Sequence, residues 1–308
     1  MKCCVVGGCG VDIVGFPDEE LIFHDSNPGH IGYSLGCVGR NIGENIFRLG
    51  EDVRIVSVVG DDHNGRLALE GLRKIGMDVN GIEVLKDGNT ATYLALLNHE
   101  GDMEIALSQM EIIKNITPEF VEKRREELES CENIVTETNL EKETLEYLLN
   151  NIKGKFFVDS VSVTKSKRLK NCLSNIYFLK TNVLEAGAIL QRDVNTDDAV
   201  ILAGMEFMRR GVKNVAITRG SEGASIFTQE GNFFMSSEKV KVLNTSGAGD
   251  AFLAGFVKGD LLGLPIEEKL KMAMAASLLT IQSEKTISER MELENIKTEM
   301  KKVCITKM

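Results

Sequence analysis

Short apolar or β-branched runs recur along this chain, and between most of them the apolar residues shift to a spacing of three to four. Runs at 3–6, 54–59, 133–136, 155–158, 176–179 and 214–218 predict strands. The helical spacing predicts helices at 41–49, 64–75, 118–128, 141–152, 196–210 and 266–282. The first of these carries Ile42, Ile46 and Leu49 on one stripe and stops at Gly50, a residue suited to the position just past a helix end. Strands alternating with helices imply a parallel sheet covered on its faces. Such sheets bind ligands beyond the carboxyl ends of their strands, and several of these runs end where polar residues begin.

Two segments break the rhythm. Residues 13–35 are rich in Gly, Pro, Asn and His, and the runs 92–98 and 103–107 flank a His99-Glu100-Gly101-Asp102 turn, which predicts a hairpin. Together they read as one small β lid built from two insertions in a single α/β domain. No repeat, low-complexity tract or linker suggests a second independent domain.

Composition narrows the partners. With 36 Lys and Arg against 46 Asp and Glu, the formal charge is -10, and no long basic cluster offsets it. Nucleic acid and anionic membranes are therefore not expected partners, whereas a pocket of backbone N–H groups can still hold a small anion. The first residues lack the form of a signal peptide, and no apolar run reaches the roughly 18 residues of a membrane span. The seven cysteines show neither C-x-x-C pairs nor a matching His spacing. Reduced thiols and a cytoplasmic location are expected, rather than a disulfide scaffold or zinc site.

The strongest local signal is Asn244-Thr245-Ser246-Gly247-Ala248-Gly249-Asp250, followed by the apolar run 251–256. Gly-Ala-Gly removes side-chain bulk just before a helix, so successive N–H groups can face an anion with the positive end of the helix dipole behind them. Asp250 then falls in the first helical turn, where a carboxylate could take a proton from an attacking hydroxyl. The same pattern is also compatible with an ordinary loop whose acidic residue favours the helix dipole. No G-x-x-x-x-G-K-[ST] occurs, and Gly8-Cys9-Gly10-Val11-Asp12-Ile13 lacks the last glycine of a dinucleotide fingerprint.

Asn244 to Asp250 resembles the C-terminal D-T-x-G-A-G-D signature of the ribokinase-like (PfkB) sugar and nucleoside kinases. Gly36-Cys37-Val38-Gly39-Arg40-Asn41 resembles that family's G-G-x-x-x-N element, about 200 residues earlier and in the expected order. Lys180-Thr181-Asn182-Val183-Leu184-Glu185 is similar to K-P-N-x-x-E, and Thr218-Arg219-Gly220-Ser221-Glu222-Gly223 to T-x-G-x-x-G. The resemblance implies a three-layer α/β/α kinase domain over 1–12, 36–88 and 113–308 with a β lid over 13–35 and 89–112. It implies Asp250 as general base and Gly247, Ala248 and Gly249 as the anion hole. Lys180, Asn182, Glu185, Thr218, Gly220 and Gly223 would line the ATP site, with Asn182 and Glu185 organising Mg²⁺ through its water. Asp12, Gly39, Arg40 and Asn41 would meet the acceptor.

The lid segments Asp25-Ser26-Asn27-Pro28-Gly29 and 92–98, with Val158-Asp159-Ser160-Val161-Ser162, resemble the pseudouridine kinases of that family more than its ribokinases or fructokinases. Asp12 and Asn41 are compatible with binding ribose hydroxyls, and Asn27 and Thr92 with reading the polar edges of a base. Another sugar or nucleoside acceptor, or a sensor that lost turnover, are the rival readings. Cys37, Thr181 and Asn244 depart from the family pattern, and the last removes a carboxylate near which relatives bind a monovalent cation, making K⁺ activation doubtful. A homodimer through the lid is a further expectation.

Overall fold

The computed structural model describes residues 2–308. In chain order the strands are β1 (Cys3–Val6), β2 (Gly10–Pro17), β3 (Gly29–Gly36), β4 (Val53–Gly60), β5 (Ile82–Leu85), β6 (Ala91–Leu97), β7 (Met103–Gln109), β8 (Asn133–Glu137), β9 (Lys155–Asp159), β10 (Ile176–Asn182), β11 (Asn214–Thr218), β12 (Ala224–Thr228), β13 (Gly231–Ser237) and β14 (Val303–Lys307). Ten of them form one sheet in the order β14-β13-β12-β11-β10-β9-β8-β1-β4-β5, and β3-β2-β6-β7 form a second. The pairs from β5 to β11 are parallel, while β11 to β14 pair antiparallel.

The central strands β1, β4 and β8 to β11 are buried on both faces, so they carry near-continuous apolar runs rather than a strict alternation with polar residues. On β1, Cys4 and Val6 join one cluster with Ile134, Phe156 and Val158, while Cys3 and Val5 join the other with Ile42, Ile46 and Phe256. The period-two geometry of a strand sends neighbours to opposite layers. Helices Val38–Arg48, Ala248–Leu261 and Ile266–Ile281 cover the second face, and Lys142–Asn151, Val183–Leu190 and Asp197–Arg209 cover the first. This is a three-layer α/β/α domain, as expected.

Two local readings change. The predicted helix at 118–128 is two short helices, Pro118–Glu122 and Arg125–Glu129. The apolar stripe of Phe120 and Val121 meets Arg124 and Arg125 one turn later, and both arginines turn outward; Arg124 lies over the Phe120 ring at 3.5 Å, and Arg125 pairs with Glu122 and Glu129. In addition, β2 begins at Gly10, so Asp12 lies inside a strand of the small sheet and not beyond the end of a core strand. The hairpin is present as β6 and β7, closed by Asn98 N–H donating to Asp102 O at 2.8 Å.

Candidate active site

The helix Ala248–Leu261 begins at Gly247, whose φ of 79° lies in the left-handed region that favours glycine. A Cβ there would stand 2.2 Å from the carbonyl oxygen of Thr286, so only glycine fits the turn. The apolar residues that follow, Ala251 to Phe256, are buried against the sheet and the helix Ile266–Ile281, which anchors the first turn rigidly. Asp250 lies in that turn and is 8 % exposed.

The second motif meets it there. Helix Val38–Arg48 packs its start onto the loop after β1: a Cβ on Gly39 would lie 2.9 Å from Gly7 Cα. Asn41, in the first turn, donates from Nδ2 to Asp250 Oδ2 at 2.8 Å. Its Oδ1 is buried with no hydrogen-bond partner in the protein, leaving one acceptor ready for a hydroxyl. Arg40 is placed differently from the expected acceptor contact. Its guanidinium is buried between Glu44 and the carbonyls of Leu35 and Gly36, tying β3 to the helix. Cys37, which stands where the family pattern has glycine, adopts φ 73° and ψ 138°, a region nearly reserved for glycine.

Around Asp250 stand groups contributed by the carboxyl ends of three adjacent strands. Lys180 from β10 pairs with Asp159 from β9 at 3.1 Å. Its Nζ also lies against the glycine turn, where a Cβ on Gly249 would approach it to 2.3 Å. Burial opposes the charge of Lys180, but Asp159, Glu185 and Asp250 outweigh it and push its pKa up. Asp250 is pushed up to about 7, first by burial and then by the charge of Asp159, with Asn41 and Lys180 opposing. Glu137, at the end of β8, accepts from Gly8 N–H at 2.8 Å and from Asn139 N–H; burial carries it to about 7 as well. Glu137 and Asp159 were not among the expected site residues. Their signal was present: each is a carboxylate at the carboxyl end of a predicted buried strand.

Beyond Lys180 on the same strand, Asn182 caps the helix Val183–Leu190. Its Oδ1 accepts from Glu185 N–H at 2.9 Å, and Glu185 returns the bond to Asn182 N–H at 3.0 Å. Ser160 donates to the same carboxylate at 2.5 Å. Glu185 is thus buried and fully engaged, and direct metal ligation would cost this capping box. Among the described residues no group of three or more His, Cys, Asp or Glu could hold a metal by itself. The residues fit a magnesium ion that arrives on nucleotide phosphates and keeps its waters, which Asn182 and Glu185 could touch. Thr218 ends β11, and Gly220 and Gly223, at φ 58° and 102°, shape the turn into β12; a Cβ on Gly223 would lie 2.0 Å from Met235 O.

Of the lid residues, Asp12 sits against Gly36, where a Cβ would come within 2.0 Å of its Oδ1. Burial raises its pKa and the Arg40 charge opposes. Gly36 leads into the helix whose Asn41 bonds Asp250, so Asp12 and Asp250 flank one region. Thr92 does not share it. It is opposite Val11, one residue out of phase with Asp12, and its hydroxyl accepts from Asn64 Nδ2 and donates to Thr90 O, both at 2.9 Å. The amide of Asn27 pairs with the backbone of Ile22 at 2.7 and 3.0 Å, bracing the loop that carries it.

The pfkB family carbohydrate kinase model matches residues 1–292. Pseudouridine kinase from Escherichia coli (strain K12) is 30 % identical over 95 % of this chain and 94 % of its own length. Guanosine-inosine kinase from Exiguobacterium acetylicum is 25 % identical over 92 % of this chain and 95 % of its own. The structure of Arabidopsis thaliana ribokinase complexed with ribose and ATP superposes with a TM-score of 0.87 at 20 % identity, covering 97 % of this chain and 98 % of that one. The architecture is therefore ribokinase-like, with the small sheet as its appended layer. A glycine turn backed by a buried carboxylate, joined to a second glycine motif from the other end of the chain, is the arrangement expected of a phosphotransferase acting on an alcohol, and the chain belongs to the pfkB family of carbohydrate kinases.

Proposed function

We propose that this enzyme transfers the γ-phosphoryl group of ATP to the 5′-hydroxyl of pseudouridine, giving pseudouridine 5′-phosphate and ADP. The observation that supports the reading best is the Asn41–Asp250 hydrogen bond, which joins Asp250 to the motif assigned to the acceptor. Asp250, poised at about 7, takes the proton of the acceptor hydroxyl as its oxygen bonds to phosphorus. The N–H groups of Gly247 and Gly249 and the Lys180 ammonium face the phosphoryl oxygens, whose charge they balance from fixed positions, while the Ala248 N–H donates to Thr245 O at 3.3 Å and closes the turn. Magnesium carried by the phosphates would supply further neutralisation, with Asn182 and Glu185 at its waters. Asn244 ties its loop down through Glu284 O and Ser246 N–H and brings no charge for a monovalent cation, so no K⁺ requirement is expected.

The acceptor is supported by the pseudouridine kinase relative and by the resemblance of the lid segments to that subgroup. The guanosine-inosine kinase relative keeps another nucleoside as the second reading. A panel of pseudouridine, uridine, inosine, adenosine, ribose and fructose with coupled ADP detection decides it. Highest kcat/KM for pseudouridine is expected; a preference for another acceptor overturns the assignment, and no acceptor-dependent ADP would indicate a sensor.

The lid's outer face carries exposed Ile31, Tyr33, Leu94, Ile105 and Leu107, the last 66 % exposed, beside an apolar cleft of about 350 Å³. Two copies joined by these faces would bury that patch. Ile105→Glu should then shift the mass in solution from dimer to monomer. No helix among the described residues is long and apolar enough to cross a membrane. A cytoplasmic location suits both the thiols and the metabolite.

A further inference from the structure

The turn from the helix Arg125–Glu129 into β8 brings a second thiol against β1. Cys4 Sγ and Cys131 Sγ stand 2.7 Å apart, a contact between positions 127 apart in the chain. Both side chains belong to the core layer that holds Leu128 and Ile134. Firm backbone places each of them. In β1, Cys3 pairs in register with Asn133 of β8, whose N–H donates to Lys2 O at 3.1 Å. Cys131 N–H donates to Leu128 O at 3.1 Å to close the turn, and Glu127 of the same helix is held by Arg54 of β4. Cys3 faces the opposite layer with Val5 and Ile42, because neighbours on a strand point to opposite faces. A disulfide needs its sulfurs about 2.05 Å apart, so Cys4 and Cys131 have less than about 1 Å to close.

The two thiols differ in access and in acidity. Cys131 is 7 % exposed and sits between exposed Ser130 and Glu132, whereas Cys4 is fully buried. The hydrogen bond from Cys4 lowers the pKa of Cys131 against the burial that raises it, and the same bond pushes Cys4 up. Cys131 is thus the sulfur that meets a small oxidant first, with Cys4 behind it as the resolving thiol.

We propose that Cys4 and Cys131 form a reversible intramolecular disulfide under hydrogen peroxide, a staple at the amino ends of β1 and β8 that stabilises the fold and spares the active site. The Cys131 thiolate attacks one peroxide oxygen and the O–O bond breaks. Hydroxide leaves, takes up the proton that Cys131 released, and a sulfenic acid remains. The Cys4 sulfur then attacks the Cys131 sulfur, the S–O bond breaks, and the departing hydroxide takes the Cys4 proton. Two thiols lose two electrons and two protons, peroxide gains them, and two waters form; a dithiol reductant reverses the link by exchange. The closed loop contains β2 to β7, and with them the whole lid sheet, so the bond restricts the unfolded chain strongly. Asp250 and its partners gather at the opposite, carboxyl ends of the strands, beyond the reach of so small a movement.

The test treats purified wild type, Cys3→Ala, Cys4→Ala and Cys131→Ala with equimolar hydrogen peroxide, then alkylates each under denaturing conditions and weighs it. Wild type should lose about 2 Da before alkylation, and its alkylatable thiols should fall from seven to five and return with dithiothreitol. Cys3→Ala should form the link as well, which matters because trypsin leaves Cys3, Cys4, Cys9 and Cys37 on one peptide. Neither Cys4→Ala nor Cys131→Ala should form it, and the Cys131 variant, at the margin of the core, carries the comparison should Cys4→Ala fail to fold. Oxidised wild type should melt at least about 5 °C above its reduced form, with no such gain in Cys131→Ala. Acceptor-dependent ADP formation should stay within about twofold of the peroxide-treated Cys131→Ala. Seven thiols after oxidation, a link that survives Cys131→Ala, a mass of two joined chains, or a link with no gain in melting point overturns the staple; turnover lost on linking overturns its independence of the active site.

Discussion

The amide of Asn41 donates to the carboxylate of Asp250 at 2.8 Å, across 209 positions of sequence. It is the physical joint between the two glycine motifs, and it acts on that carboxylate directly by favouring its charged form.

Asp250→Asn should lower kcat by roughly 100-fold or more, the usual weight of a general base. In wild type the rate should fall tenfold per pH unit below about 7, since the carboxylate must be ionised to act, and the variant's residual rate should lack that limb. The same shift sets a stability signature. A carboxyl raised from 3.8 to about 7 contributes stability that is fully present below its unfolded pKa and lost as pH rises through 7. The variant should therefore gain in melting temperature over wild type between pH 5 and pH 8.

Asn41→Ala removes a bond that holds the Asp250 pKa down. The acid limb of kcat should move to higher pH, with part of the lost rate recovered in alkaline buffer. An unmoved limb with a raised acceptor KM would mean that Asn41 serves the acceptor alone.

Gly249→Ala sets a methyl where Lys180 Nζ now sits at 2.3 Å. The obstructed atom is the end of a flexible chain, so the fold should survive with its melting point little changed. Turnover should drop by roughly 100-fold, comparable to losing one oxyanion-hole donor. Single-turnover kinetics with saturating ATP would separate this from weaker nucleotide binding.

Asp12→Ala should raise the acceptor KM at least about tenfold, because a charged group that accepts hydroxyl bonds is worth roughly 1.5–3 kcal/mol each. ATP affinity should hold. Wild type should use a 2′-deoxy acceptor poorly and the variant should penalise it less; equal discrimination in both would remove Asp12 from that hydroxyl.

Cys37 holds a backbone conformation that costs a non-glycine residue about 1–3 kcal/mol. Cys37→Gly should therefore be more stable than Cys37→Ala by about that amount in urea unfolding, although both lose the same thiol. Equal midpoints would locate the strain elsewhere.

What the sequence determined by itself is local. Strand and helix periods at 3–6, 133–136 and 266–282 survive folding because each segment carries its own apolar pattern, and the Gly247-Ala248-Gly249-Asp250 turn encodes its backbone in residues that are adjacent along the chain. Strands β13 and β14 escaped notice because mixed polarity on a sheet margin leaves no strong period. Only the tertiary structure decided which face of the lid each residue occupies, and a single step of register put Tyr93 beside Asp12 and Thr92 behind it. It also decided that Glu137 and Asp159 share the site with Asp250, since desolvation and charge depend on neighbours delivered by other strands. A motif can specify where a carboxylate stands in its helix; the pKa that lets it work near neutrality belongs to the packing around it.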